Sequence, residues 1–179
     1  MAEEQNQDPV MTAEENASAQ FQIQKLYAKD VSFEVPNAPQ VFKETGQADI
    51  KLSLAQRVEE LGDDQFEVVL TVTVTANVDE KTAYLAEVAQ AGIFMLSGFN
   101  EQSSHAVMNT MCPNTLFPYA RQLITSLVAE GGFPPLVLQP VNFEQMYAQR
   151  MQEMMQEQNQ GDAAPGDEGV VEAEFQTNH

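Results

Sequence analysis

The stretch CPNTLFPYARQLITSLVAEGGFPPLVLQPVNFEQMY, residues 112–147, decides how the rest of the chain is read. Leu116, Tyr119, Ala120, Leu123, Ile124, Leu127 and Val128 recur at three- and four-residue steps, the period of a helix with one buried stripe. Asn114 stands where a side-chain oxygen can accept a free N–H of the first turn. Pro118 suits only an early position, because it has no N–H to give. The spacing therefore predicts a helix over 114–130, stopped by Gly131-Gly132 in the left-handed C-terminal conformation. Three prolines in the segment from Phe133 to Pro140 force it extended and bar it from a central strand. That segment still holds Phe133, Leu136, Val137 and Leu138, too apolar for an ordinary solvated loop. A second helix restarts after Asn142 and carries Phe143, Met146, Tyr147, Met151, Met154 and Met155.

Upstream, the period changes from 3.6 to 2. Residues 65–78 are the clearest strand, with Phe66, Val68, Leu70, Val72 and Val74 on one face and Glu67, Val69, Thr71, Thr73 and Thr75 on the other. Residues 48–54 put Ile50, Leu52 and Leu54 on one face, and 82–96 form the last strand. Residues 21–35 alternate with a slip of phase between Ile23 and Leu26, which predicts a bulge. Turn chemistry at 59–65 and 77–81 joins neighbouring strands. Residues 101–111 read as a separate short helix. Strands first and helices after imply an α+β fold: a four-stranded antiparallel sheet, one long crossover, and helices packed on one face. So small a helical layer leaves apolar surface open, which points to assembly of like chains.

The chain has 179 residues, eight basic and 27 acidic, for a net charge of -19. Residues 1–20 hold five acids and no base, and residues 151–179 hold seven acids and no base. These compositions predict disordered acidic tails at 1–20 and 158–179 around one domain at 21–157. The charge opposes binding to nucleic acid and to anionic lipid. No apolar run approaches the ~20 residues of a membrane helix. The start MAEEQNQDPV lacks the pattern of a secretion signal, and the single Cys112 excludes an internal disulfide. A cytoplasmic location is the expectation.

Catalytic chemistry is missing. His105 and Cys112 are the reactive candidates, but no local pattern supplies an orienting third group or an oxyanion site. The sequence shows no metal-ligand spacing and no phosphate-binding glycine loop, so no enzyme, metal or cofactor is expected. Two surfaces remain. Asp30 and Glu34 share one face of the first strand, and Leu85 and Glu87 share one face of the last. If those strands neighbour, three carboxylates surround an apolar residue, which suits a basic partner; a plain solvated face fits the spacing as well. Ile50, Leu52, Leu54, Phe66, Phe133, Leu136, Phe143 and Met146 could line an apolar groove, with ordinary core as the alternative.

Three stretches carry a resemblance: FQIQKLYAKDVSFEVPNAP (21–39), YLAEVAQAGIF (84–94) and CPNTLFPYARQLITSLVAEGGFPPLVLQPVNF (112–143) are similar to SecB, the bacterial protein-export chaperone family. The resemblance covers about residues 21–150. It implies a cytoplasmic homotetramer, a dimer of dimers, with long helices sandwiched between sheets. It implies ATP-independent holding of unfolded presecretory polypeptides and their delivery to SecA. The family's SecA-contacting positions fall on Asp30, Glu34, Leu85 and Glu87, and its client groove on Ile50, Leu52, Leu54, Phe66, Phe133, Leu136, Phe143 and Met146. Two departures stand out: Gly46 occupies the place of a tryptophan familiar in this family, and the acidic N-terminal extension is long. A carrier of a small apolar ligand and an adaptor for folded partners are the competing readings.

Overall fold

The computed structural model describes residues 19–158. The tails expected at 1–20 and 158–179 lie outside the described residues, except that Gln20 begins the first strand and Gln158 ends the last helix. The elements run β1 (Gln20–Glu34), a 3-10 turn (Gln40–Lys43), β2 (Asp49–Gly62), β3 (Gln65–Val78), β4 (Lys81–Ser97), α1 (Glu101–Glu130) and α2 (Phe143–Gln158). Strand order is β1-β4-β3-β2, with every neighbouring pair antiparallel. The β1–β2 connection is the expected long crossover, since it carries the chain from one sheet edge to the other. Asn37 Nδ2 pins it by donating to the Thr82 carbonyl at 2.9 Å, and Lys81 holds Glu44 at 2.8 Å. The two hairpins turn where Asp63, Asp64, Asp79 and Glu80 take positive φ, a conformation that aspartate tolerates better than bulky residues.

One face of the sheet is the core. Val72 and Val74 of β3 pair with Val88 and Ala86 of β4; these four, with Val68, Leu70 and Phe94 on the same face, are buried, and α1 packs over β4 and β3. Its contribution is Leu116, Phe117, Ala120, Ile124 and Val128, together with Cys112 and Pro113.

Here the structure corrects the sequence reading. The expected short helix at 101–111 and the helix at 114–130 are one continuous helix of 30 residues. Asn100, not Asn114, is its N-cap; the Asn100 side chain accepts the Ser103 N–H at 2.8 Å. Pro113 and Pro118 both lie inside. An interior proline costs about 3 kcal/mol. Burying Leu116, Phe117, Ile124 and Val128 returns about 1.5–3 kcal/mol each, enough to carry the helix through both prolines. Pro118 and the residue four before it, Asn114, are exposed, so water can reach the carbonyl left without a partner.

The C-terminal stop is as read. Gly132 takes φ 87°, its N–H reaches the Ala129 carbonyl at 3.1 Å, and the Phe133 N–H reaches the Val128 carbonyl at 3.2 Å. This is a Schellman closure. Gly131 lies so close to β1 that a Cβ there would stand 2.3 Å from Phe33 Cζ. Gly131→Ala is therefore expected to destabilise the fold by about 1–3 kcal/mol through overpacking. Urea unfolding should show a lower midpoint with an unchanged slope.

Candidate functional site

The strand register places Asp30, Glu34, Leu85 and Glu87 on a single face, the one turned away from the helices. Glu34 pairs with Leu85, Ser32 with Glu87, and Asp30 with Ala89; across β4, Thr75 pairs with Leu85 and Thr73 with Glu87. Asp30 depends on a bulge. Register shifts occur between Ile23 and Lys25, as expected, and also between Ala28 and Asp30. Leu26 and Ala28 face the helices opposite Gly92 and Gln90, and strict alternation would send Asp30 there too. The second shift turns it outward. Asp30 and Glu34 are exposed, while Leu85 and Glu87 are half-buried. Thr73 Oγ1 donates to Glu87 Oε2 at 2.9 Å and fixes that carboxylate in place.

The same face holds a second cluster that sequence reasoning missed. Glu67 of β3 is only 6% exposed, although it lies on the solvent side of the sheet. Lys29 Nζ donates to both its oxygens at 2.8 and 2.6 Å, the Tyr27 hydroxyl donates to Oε1, and Arg57 stands 3.7 Å away. Lys29, then Tyr27, hold the Glu67 carboxyl below the usual range, and the hydrogen bond to Glu67 pushes Tyr27 up to about 12. The members come from β1, β2 and β3, and no spacing within one strand announces them. Glu67 offered a single clue, a carboxylate at the start of an otherwise uncharged Val/Thr face.

On the helix face the eight groove residues divide. Ile50, Leu52 and Leu54 align with Ala76, Val74 and Val72, and Phe66 with Phe94, all directed at the core layer. Leu54 at 2% and Phe143 at 7% exposure are core residues here, whereas Ile50, Leu52, Phe66, Phe133, Leu136 and Met146 are half-buried. Phe133 belongs to an aromatic group at one end of the sheet. Its ring centroid is 5.2 Å from Phe42 and 4.9 Å from Tyr84, and Tyr84 is 5.9 Å from Phe33. Phe42 is exposed, so the group opens to solvent. Thr125 Oγ1 donates to the Leu136 carbonyl at 2.6 Å and anchors the extended loop to α1, while Val137, next to Leu136, is 65% exposed. At the other end α2 starts with the Asn142 side chain accepting the Gln145 N–H at 2.9 Å, and Phe143 sets its ring edge-on to Phe117 at 5.9 Å. A hollow of about 50 Å3 lies between β2 and α2, and one of about 380 Å3 between α1 and the segment 140–144.

Nothing among the described residues supports catalysis. Burial pushes the Cys112 thiol up to about 12, which leaves it inert. His105 instead lies 3.0 Å from the Tyr147 hydroxyl and ties α1 to α2. Among the described residues no group of three or more His, Cys, Asp or Glu could hold a metal, and no helix is long and apolar enough to cross a membrane.

Comparison with known families agrees with this geometry. The family described as preprotein translocase subunit SecB matches residues 14–154. The chain belongs to the SecB family. SecB is a family of chaperones, not of enzymes. Protein-export protein SecB of Stenotrophomonas maltophilia is 53% identical over 143 residues, 80% of this chain and 81% of the relative. That of Methylococcus capsulatus is 48% identical over 157 residues, 88% of this chain and 96% of the relative. Among solved structures, a SecB-like chaperone of Mycobacterium tuberculosis, determined with an antitoxin peptide, is similar in fold: TM-score 0.57, 20% identity, 68% of this chain and 90% of that one.

The Glu67 cluster makes a defined pH prediction. A carboxyl with a lowered folded pKa stabilises fully above its unfolded value of about 4.3 and loses that contribution as pH falls through the folded value. Glu67→Gln should cost about 1–2 kcal/mol at neutral pH. Wild-type and variant stabilities should converge as the pH falls below about 4, measured by chemical unfolding across the range.

Proposed function

We propose that this chain is an ATP-independent chaperone of protein export that holds unfolded presecretory polypeptides and delivers them to SecA in the cytoplasm. The observation that carries this reading, beside family membership, is the division of labour across one sheet. A patch of three carboxylates around Leu85 occupies one face, and aromatic and apolar residues line the other. Phe42, Phe133, Leu136 and Val137 offer grip to unfolded segments without shape selection, as do the methionines of α2. Removing apolar area from water at ~25 cal/mol per Å2 holds a client by mass action, and no nucleotide is required.

A homotetramer, built as a dimer of dimers, is part of the same proposal. Met111 and Tyr119 are large apolar residues left exposed on α1, with Asn114, Pro118 and Gln122 exposed beside them. A second layer over that side of α1 would cover them, and repeated grooves would multiply affinity for a long chain.

Two tests separate the surfaces. Phe133→Asp with Leu136→Asp places charge in the aromatic end of the groove and should weaken client retention about tenfold or more, read as suppression of a client's refolding. Unchanged suppression by a double mutant of unaltered oligomeric mass removes the groove from client binding. Glu87→Lys reverses a charge fixed by Thr73 and should lower affinity for SecA in calorimetric titration while refolding suppression persists, because rim charges govern association and salt sensitivity. Undiminished SecA affinity at low salt removes the acidic face from that contact.

A further inference from the structure

The second bulge of β1 leaves Lys29 with no residue opposite it: Ala28 pairs with Gln90 and Asp30 with Ala89. Strict alternation sends consecutive residues of a strand to opposite faces. Here the bulge turns Asp30 to the outer face, and Lys29 reaches that face too, because its Nζ donates to both oxygens of Glu67 at 2.8 and 2.6 Å. A cation and a carboxylate adjacent in sequence thus share one face, yet they form no ion pair with each other. The ammonium is drawn across β4 to a β3 carboxylate that is only 6% exposed.

Burial decides this competition. Asp30 is exposed, and an ion pair in water is worth little. Glu67 is largely withdrawn from water, where the same attraction is stronger and where losing a partner leaves a charge poorly compensated. Its carboxylate is also fixed in place, since the Tyr27 hydroxyl donates to Oε1 and Arg57 stands 3.7 Å from Oε2. Lys29 is the base nearest to Asp30 along the chain. Lys25 stands further back on β1, opposite Ile93, while Lys51 and Arg57 belong to β2 at the far edge of the sheet. Without Glu67, the flexible four-carbon stem of Lys29 would be free to bring its ammonium to Asp30.

We propose that Glu67 is a positioning residue for the acidic face: it holds Lys29 away from Asp30 and so keeps the Asp30 carboxylate uncompensated for a basic partner. The assignment rests on the reading of that face as the SecA contact. Glu67 touches no partner itself and acts through Lys29. Thr73 has the matching role at the next row, where its hydroxyl holds the Glu87 carboxylate at 2.9 Å.

The test is a cycle of variants of the full chain, each titrated with SecA by calorimetry at one low ionic strength, with circular dichroism and oligomeric mass to show that each is intact. Glu67→Gln releases Lys29 and should weaken SecA binding about three- to fivefold, the range of one surface charge. Lys29→Gln breaks the same ion pair but leaves Asp30 uncompensated, so its affinity should equal or exceed that of the wild type. The double variant should return to within about twofold of the wild type. Glu59 stands opposite Glu67 in the β2–β3 register, and Glu59→Gln removes a charge there without releasing Lys29. It should change affinity less than twofold. A pair that merely braces the bulge predicts instead that Lys29→Gln weakens binding as Glu67→Gln does and that the double variant is no better; that pattern overturns the proposal. An effect of Glu59→Gln equal to that of Glu67→Gln overturns it too, since net charge alone would then account for both. Should Glu67→Gln fail to fold, Lys29→Gln still decides, because a loss of affinity there contradicts sequestration. SecA binding that ignores Glu67→Gln overturns the role of Glu67 and leaves the docking reading standing. No SecA binding by the wild type overturns both.

Discussion

The contact between α1 and the centre of the sheet is the constraint from which the rest of the molecule follows. Leu116, Phe117, Ala120, Ile124 and Val128 are buried against strands that present many short core residues, with Leu70 and Phe94 among them. Val68, Val72, Val74, Ala86 and Val88 make a nearly flat bed, and the larger residues of the helix fill it. Large residues set against small ones in this way let the two layers interdigitate. Because the bed is fixed by strand register, the helix has one place to lie. Its 30 residues then set where the loop after Gly132 begins, and so where Phe133 meets Phe42 and Tyr84.

Helices cover only one face, and this makes the two faces chemically independent. A substitution on the outer face at Leu85 or Glu87 points away from the groove, while the adjacent residues Ala86 and Val88 point into the core. Register converts that alternation into a patch: three strands bring Glu34, Leu85, Thr75, Ser32, Glu87 and Thr73 into two adjacent rows. The bulge at Ala28/Asp30 adds the third row. A bulge is often regarded as an irregularity, yet here it decides whether Asp30 joins the patch or faces the helices.

What was legible in the sequence was whatever a single segment could express. The period of 65–78, the glycine stop at 131–132, the restart after Asn142 and the slip between Ile23 and Leu26 are local signals, and each stands where it was read. The resemblance added the family, and expected roles for particular positions. The misreading at Pro113 and Pro118 has a physical cause: local propensity charges each proline its full helix penalty, while the burial that offsets it comes from strands 20 to 50 residues upstream. The Glu67 cluster was illegible for a related reason. Tyr27, Lys29, Arg57 and Glu67 acquire meaning as a group only once β1, β2 and β3 are set in register.

Charge placement ties these observations together. Of the eight bases, Lys29 and Arg57 gather around Glu67 and Lys81 around Glu44, so scarce positive charge is spent where a carboxylate is drawn out of water or a loop must be held. Glu67 sits among its partners and presents little net field. Asp30, Glu34 and Glu87 have no cation beside them among the described ion pairs, and their field projects outward. The outer face is therefore divided along the strands, with a neutralised region towards the β2–β3 turn and an uncompensated one towards the β3–β4 turn. Uniform acidity would repel any acidic surface and attract any basic one. Confining the uncompensated charge to one end, around the half-buried Leu85, is the arrangement that the proposed docking of a basic partner would use, with an apolar contact at its centre.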